Sequence, residues 1–275
     1  MIIASSENGF NRSTARLLGI IPPIAGYVRN RGVPYLISWG HRLTGILMIL
    51  FIGFHIFTLS FLSTPGLYAD KMKLYSLPAL AFLEWALAIP VIFHALNGGR
   101  LILYESFGCR RDDLLLKWGA GLLILYAGIL AVLMLLGNQS VSPAFFWFLA
   151  LSAALIAAYG LYSRIWNTRH AISWKLQRIT GAFLFVMIPA HFIFMHLNPQ
   201  VAGEAGQVTM RMQSIWIKLV DVVLVVSALY HGGYGLLSVI NDYTASKKVR
   251  AAGMAAVTAA MSVAAWFGIK LILLI

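Results

Sequence analysis

Seven long apolar stretches recur along the chain and limit what it can fold into. Each holds about 20 residues, the length that an α-helix needs to cross ~30 Å of hydrocarbon. Only 11% of the residues are charged and the mean hydropathy is +0.81, so the chain has too little charge to solvate a globular surface. The sequence therefore predicts an all-α, multi-pass bundle embedded in membrane lipid. The expected spans are 39–63, 77–104, 115–136, 142–163, 177–198, 214–241 and 253–275.

The lysines and arginines lie mainly at alternate ends of these spans. Most of the 21 fall into four clusters, and loops rich in Lys and Arg stay on the cytoplasmic side of a membrane. This pattern predicts a cytoplasmic N-terminus, and it makes the net charge of +12 a sign of topology rather than of nucleic-acid binding. The clusters are Arg12, Arg16, Arg29, Arg31 and Arg42; Arg100, Arg110, Arg111 and Lys117; Arg164, Arg169, Lys175 and Arg178; and Lys247, Lys248 and Arg250. The opposite ends carry Lys71, Lys73, Arg211, Lys218 and Lys270.

The single cysteine and the N-terminal segment exclude several kinds of site. Cys109 alone cannot form an internal disulfide, an iron–sulfur site or a covalent c-type haem attachment. Residues 1–37 contain arginines and prolines and lack the apolar core of a signal peptide. We therefore expect them to form a cytoplasmic segment that lies on the membrane surface or against a partner.

A repeat of polar residues divides the chain into two halves. Residues 38–45 read SWGHRLTG and residues 173–181 read SWKLQRITG. In each half a histidine lies ten residues after the final glycine of this motif. The next span of each half carries a His-x-x-x-Gly motif, and an acidic residue lies eleven residues after that histidine. The first copy consists of Arg42, Thr44, Gly45, His55, His94, Gly98 and Glu105, and the second of Arg178, Thr180, Gly181, His191, His231, Gly235 and Asp242.

The repeat also predicts the topology. Each copy holds three spans, so two copies in the same orientation need one further crossing between them, which the stretch at 142–163 supplies. The predicted architecture is therefore two parallel three-helix repeats joined by a linker helix, with the C-terminus outside. Its units are the N-terminal segment 1–37, the first repeat 38–136, the linker 137–172 and the second repeat 173–275.

Four histidines stand at matched positions within the spans. An ionisable residue in a membrane span is costly and indicates a functional site. At ~1.5 Å of rise per residue, one pair lies roughly 10 Å below the outer surface and the other roughly 15 Å from the inner surface, about 9 Å apart in depth. Pairing by depth gives an outer pair, His55 with His191, and an inner pair, His94 with His231. Two imidazoles from facing helices are the axial ligands of a low-spin b haem, so the pattern predicts two stacked haems; hydrogen bonding between helices is the alternative.

The residues around these pairs have weaker assignments. Gly98 and Gly235, one turn from the inner histidines, could let a porphyrin approach the backbone. His41, at the cytoplasmic interface, could bind a haem propionate or a quinone. We interpret His170 and His196 as loop or interface residues.

These motifs resemble those of the membrane anchors of complex II, the succinate dehydrogenases and fumarate reductases. Residues 38–45 resemble the Ser-x-x-His-Arg-x-[Ser/Thr]-Gly signature of the cytochrome b subunit, and residues 94–100 resemble its haem-ligand motif. Residues 231–235 with Asp242 and Tyr243 resemble the second, small anchor subunit. The resemblance covers roughly residues 35–245 and implies that two usually separate anchors are fused in one chain.

The resemblance implies a quinone site built from both halves. It matches Ser38 and Arg42 to quinone-site residues of the first anchor, and Asp242 and Tyr243 to those of the second. Hydroxyl groups could donate to the quinone oxygens, a guanidinium could hold developing negative charge and a carboxyl group could relay protons. Arg178 occupies the position matched to Arg42, where it could bind a cofactor or extend its charge to the interface.

The outer histidines and two outer acids refine this expectation. His55 and His191 resemble the di-haem members of the family, which commonly use menaquinone, so the quinone is expected to be menaquinone. Glu84 and Asp221 each precede an inner histidine by ten residues, near the outer surface. They could handle protons there, or they could simply be hydrated helix ends.

The expected function is therefore that of a membrane anchor subunit of succinate:quinone oxidoreductase. A flavoprotein subunit would oxidise succinate, and an iron–sulfur subunit would pass electrons to this chain, which holds the haems and the quinone but no dicarboxylate site. The expected location is the cell membrane of a bacterium or an archaeon. Two alternatives stay open: a di-haem cytochrome b anchor of another quinone-linked dehydrogenase, and a transporter whose histidines serve a substrate path.

Overall fold

The computed structural model describes residues 14–16, 18–20, 22–109, 111–136, 142–197 and 203–274. Arg12, Arg110, residues 137–141 of the predicted linker, and the last residues of the spans predicted to end at 198 and 275 lie outside the described residues. The principal α-helices, numbered in chain order, are α1 Pro22–Arg31, α2 Val33–Ser60, α3 Pro65–Tyr75, α4 Pro78–Phe107, α5 Asp112–Leu136, α6 Pro143–Ile165, α7 Ile172–Leu197, α8 Ala205–Met212, α9 Ile215–Tyr243 and α10 Lys247–Leu274.

Seven of these helices are long and apolar enough to cross a membrane: α2, α4, α5, α6, α7, α9 and α10. The all-α class and the seven predicted spans are thereby confirmed. The helix ends follow local chemistry. Gly32 separates α1 from α2 with a φ of 79°, a left-handed conformation that costs glycine no Cβ clash, and Pro34 follows in the first turn of α2. As a result α2 begins at Val33, and residues 33–37 of the predicted N-terminal segment form its first turns.

Four helices form the core of the bundle. Helix α2 packs on α4, α4 on α7, α7 on α9 and α9 back on α2, which closes a ring. The third helix of each half packs outside this ring in an equivalent way, because α5 contacts α4 and α7 whereas α10 contacts α9 and α2. The two halves are therefore related by an approximate two-fold axis that runs along the centre of the ring.

The linker helix α6 lies outside this symmetry. It packs mainly on α7, where Trp147, Leu151 and Ala154 form a buried cluster with Met187 and Phe194. The turn that follows α6 is held by Lys175, whose ammonium group donates to the carbonyl oxygens of Trp166 at 2.6 Å and Thr168 at 2.7 Å. These contacts fix the start of the second half against the linker.

Two short helices cover one end of the ring. Helix α3 follows α2, helix α8 follows α7, and the two pack on each other. Their shared cluster includes Tyr68, Val208 and Met212, and Tyr68 is only 1% exposed. We call this the outer end of the bundle, and the opposite end, where Ser38 and Asp242 lie, the inner end.

Candidate functional site: paired imidazoles in the core

The inner histidines face each other across the ring. The ring centroids of His94 on α4 and His231 on α9 are 6.3 Å apart, and the ring planes are inclined by 85°. His94 Nδ1 lies 3.0 Å from the carbonyl oxygen of His41, and His231 Nδ1 lies 3.1 Å from that of Gln177. Because a carbonyl oxygen only accepts, each Nδ1 carries the proton and each Nε2 is an acceptor; that of His231 lies 3.5 Å from Gln177 Nε2.

Glycines on the facing helices make room for these imidazoles. A Cβ added at Gly45 would lie 3.0 Å from His94 Cε1, and one added at Gly181 would lie 3.0 Å from His231 Cε1. Either contact would force the imidazole to move. Gly45 and Gly181 therefore let each histidine ring lie directly against the neighbouring helix of its own half, α2 for His94 and α7 for His231.

The glycines that the sequence analysis singled out have a different place. Gly98 and Gly235 both line the inner cavity. A Cβ at Gly235 would meet nothing within 4 Å, and one at Gly98 would meet only His41 Cε1 at 3.6 Å. They leave open space beside the histidines rather than a close contact with them.

The outer histidines form a second pair. The ring centroids of His55 and His191 are 6.2 Å apart with planes inclined by 89°, and the indole of Trp147 lies 6.2 Å from the His191 ring. His191 Nδ1 is buried and has no hydrogen-bond partner among the described residues. Buried polar groups are almost always satisfied, so this nitrogen indicates a site that a bound group completes.

The two pairs lie farther apart than the sequence analysis estimated. The inner imidazole of His94 lies against Gly45, and His55 follows ten residues later on the same helix. Ten residues correspond to about 15 Å along a helix axis, so the earlier figure of about 9 Å is too small. The earlier figure combined a depth counted from the outer end of one span with a depth counted from the inner end of another, so it depended on predicted span ends.

A cavity of about 350 Å³ opens beside the inner pair, between α2, α4, α7 and α9. Its lining includes His41, Arg42, Arg100 and Arg178, so its inner end is strongly basic. The His41 ring stacks on that of His94 with centroids 3.9 Å apart and planes inclined by 8°. His41 Nδ1 is buried without a partner among the residues that the structure describes. A bound anionic group beside it fits both the orphaned nitrogen and the charge.

Two ion pairs cross between the halves at the inner end. Arg42 Nη2 of the first half lies 3.4 Å from Asp242 Oδ2 of the second. Arg178 Nη2 of the second half lies 2.7 Å from Glu105 Oε2 of the first. The matched residues of the repeat thus pair crosswise, and each pair ties the second span of one half to the first span of the other.

The surroundings of Arg42 bring the predicted quinone residues together. Arg42 Nη1 donates to the hydroxyl oxygen of Ser38, one turn earlier on α2. The guanidinium carbon lies 5.8 Å from the centre of the Tyr243 ring, which in turn packs on Trp39 at 5.1 Å. The Arg42 guanidinium therefore contacts Ser38, Asp242 and Tyr243, the other three residues that the resemblance matches to the quinone site.

The surroundings of Arg178 differ in a way that breaks the symmetry. One turn before it stands Trp174 rather than a serine, and the Arg178 guanidinium lies over that indole at 5.0 Å. Arg178 Nη1 also donates to Gln177 Oε1 at 2.7 Å. The second arginine is therefore covered by an apolar ring at the place where the first meets a hydroxyl group.

The remaining histidines and outer acids have simpler settings. His170 stacks on Trp174 at the surface, with centroids 4.1 Å apart. His196 is buried in the last turn of α7 and its Nε2 lies 3.9 Å from Glu84 Oε1, so it is not a loop residue.

Among the described residues no group of three or more His, Cys, Asp or Glu could hold a metal ion. A haem requires only the two axial ligands that each imidazole pair offers.

The comparison with known families decides which class of protein this geometry belongs to. The sequence model of the family described as "Succinate dehydrogenase/Fumarate reductase transmembrane subunit" matches residues 25–136 and again residues 158–269. The chain belongs to this family. The first match contains α2, α4 and α5, and the second contains α7, α9 and most of α10, so the two-repeat organisation is confirmed.

Named relatives agree with this assignment. The succinate dehydrogenase 2 membrane subunit SdhC of Mycobacterium tuberculosis is 36% identical over 107 residues, which are 36% of this chain and 78% of the relative. The succinate dehydrogenase hydrophobic membrane anchor subunit of Archaeoglobus fulgidus is 26% identical over 101 residues, 37% of this chain and 86% of the relative. No solved structure matches significantly.

The family resemblance drawn from the sequence motifs is confirmed by these matches. As a succinate dehydrogenase/fumarate reductase anchor, the chain is a multi-pass membrane subunit of an oxidoreductase complex and associates with the other subunits of that complex. Each relative matches little more than a third of this chain.

The crosswise ion pairs predict a specific energetic coupling between the halves. In a double-mutant cycle of Arg178→Ala and Glu105→Ala, unfolding in mixed detergent micelles should give a coupling free energy on the order of 1 kcal/mol, because the pair is half-buried. The control cycle joins Arg42→Ala to Glu105→Ala, which are not in contact, and should give none. Equal coupling in both cycles would contradict the crosswise pairing.

Proposed function

We propose that this chain binds two b haems and a quinone, and that it carries electrons from an iron–sulfur subunit to that quinone. The observation that supports this most is the duplication of imidazole pairs: in each half, one histidine faces its counterpart at the inner level and one at the outer level. Neutral imidazoles opposed across a membrane bundle suit axial ligation, and a b haem held between them is a one-electron carrier.

His94 and His231 would hold the inner haem. Their Nδ1 protons are donated to backbone carbonyls, which fixes the tautomer and the ring orientation and raises the basicity of Nε2. His41, with its orphaned Nδ1, and Arg178, half-buried in the cavity lining, would bind the carboxylate side chains of the porphyrin. His55 and His191 would hold the outer haem about 15 Å along the bundle.

The quinone would bind on the Arg42 side of the inner end. Ser38 and Tyr243 carry hydroxyl groups that can donate to the quinone oxygens, and the Arg42 guanidinium stabilises the negative charge that develops there. Reduction to the quinol takes up two electrons and two protons, and Asp242, in contact with Arg42, can deliver protons from the aqueous face. Trp174 occupies the equivalent position beside Arg178, which favours a single quinone site.

The basic inner end of the bundle also suggests where the partner subunits bind and how the chain is oriented in the membrane. The inner end carries the predicted cytoplasmic clusters, so the iron–sulfur subunit would dock there, close to the quinone, with the succinate-oxidising flavoprotein beyond it. The N-terminus is then cytoplasmic. Menaquinone is the expected quinone because the outer histidine pair is present. Relatives from a bacterium and an archaeon support a location in a prokaryotic cell membrane.

Replacing an inner histidine tests the haem assignment. His94→Ala and His231→Ala should each remove one b-type component from the reduced-minus-oxidised spectrum of the purified complex, because the iron loses an axial ligand. The control is His170→Ala, which removes a histidine that stacks on Trp174 at the surface. Unchanged haem content in both inner variants would refute the assignment.

Replacing a hydroxyl donor tests the quinone site. Ser38→Ala and Tyr243→Phe should each lower kcat/KM for quinone reduction about tenfold, the loss expected for one hydrogen bond to a group that gains charge. Electron transfer from succinate to a soluble dye, which bypasses the anchor, should not change. Ser173→Ala removes the serine hydroxyl of the second copy of the motif, five residues before Arg178, and should leave quinone reduction intact. Equal losses in Ser173→Ala and Ser38→Ala would place the site elsewhere.

A further inference from the structure

Arg211 packs at the outer end of the bundle against the last turns of α7, the helix that carries His191. It belongs to the short helix α8, and its Nη1 lies 3.8 Å from the sulfur of Met195 on α7. Its guanidinium carbon lies 5.8 Å from the centre of the Phe194 ring. His191, Phe194 and Met195 occupy positions i, i+3 and i+4 of α7 and therefore share one face. The guanidinium thus sits over that face, about one turn outward from the outer imidazole.

The charge of Arg211 lacks the close partner that the other core arginines have. Arg42, Arg100 and Arg178 each form an ion pair within 4 Å. Within the described part of the chain, Arg211 forms no such pair; its guanidinium contacts a thioether and a phenyl ring. Burial lowers the pKa of Arg211, and the nearby Asp221 and Tyr68 only partly offset this.

A guanidinium in this setting has donors to spare. It offers five N–H groups in a planar fork that matches a carboxylate, whereas a thioether sulfur is a weak acceptor. Burying a charge without a hydrogen-bonded partner is costly, so a ligand that supplies a carboxylate here would stabilise the outer end.

We propose that Arg211 binds a carboxylate side chain of the haem held by His55 and His191. This inference rests on the proposed function, because it needs the outer haem. The positive charge beside that haem favours its reduced form, in which one positive charge has been removed from the iron. Arg211 is thus a cofactor-binding residue that sets the reduction equilibrium of the outer level.

The first half provides a matched control. Lys71 lies on α3, the short helix that corresponds to α8, but its ammonium nitrogen lies over the ring of Phe61 at 5.7 Å, away from the histidines. Lys71→Gln removes one positive charge from the same end of the bundle without touching the outer site. Any general effect of outer surface charge would show in this variant as well.

The test is a redox titration of the haem absorbance in the purified complex. Arg211→Gln should shift the reduction equilibrium of one component toward the oxidised form at least tenfold, about 59 mV for one electron. The shifted component should be the one that is missing in His55→Ala, and the reduction equilibrium of the other haem component should not change. Arg211→Lys should show a smaller shift, because a point charge replaces the planar fork. Lys71→Gln should match the parent chain.

The outcomes separate the two proposals. A parent complex with a single haem component would overturn both the outer haem and the role of Arg211. Two components that both keep their equilibria in Arg211→Gln and Arg211→Lys would overturn only the role of Arg211 and make it a partner of Asp221. If Arg211→Gln loses the component assigned to His55 but keeps the other, the proposal is supported. If Arg211→Gln loses both haem components, Arg211→Lys replaces it in the test. A shift of only the component assigned to His55 then supports the proposal, and no shift overturns it.

Discussion

The contact of an imidazole with a glycine on the facing helix is the interaction on which the inner end of this bundle depends. A histidine side chain inside hydrocarbon is tolerated only when its polar atoms are satisfied. Here the Nδ1 protons of His94 and His231 are donated to carbonyl oxygens of the facing helices, and Gly45 and Gly181 let the rings come close enough to do so. Two pairs of neighbouring helices, α2 with α4 and α7 with α9, are thereby fixed in register, and the two imidazoles face each other at the centre of the ring.

Duplication explains how one chain builds such a centre. Each half alone supplies one histidine to each level, one arginine and one acid to the inner end, and one short helix to the outer end. Only the two-fold arrangement brings these into pairs, as in the crosswise contact of Arg178 with Glu105. The symmetry is broken beside the two matched arginines: Ser38 stands next to Arg42, and Trp174 covers Arg178.

The sequence predicted the spans, the repeat and the pairing of histidines by level, because apolar length and matched positions are properties of the chain itself. It could not predict the carbonyl acceptors or the role of Gly45, since these depend on which helices become neighbours. The place of Arg211 also escaped prediction. Short helices such as α3 and α8 are too brief to stand out by hydropathy, and only their packing on each other shows that they close the outer end.

The central claim is that imidazoles from both halves hold iron at two levels of one chain. Haem extraction and quantitation on the purified complex, referred to the amount of this subunit, tests it most directly. The account predicts two noncovalent b haems per chain, with the electron paramagnetic resonance of low-spin iron bound by two histidines. A folded, active complex without haem, or with high-spin iron bound by one histidine, would contradict it.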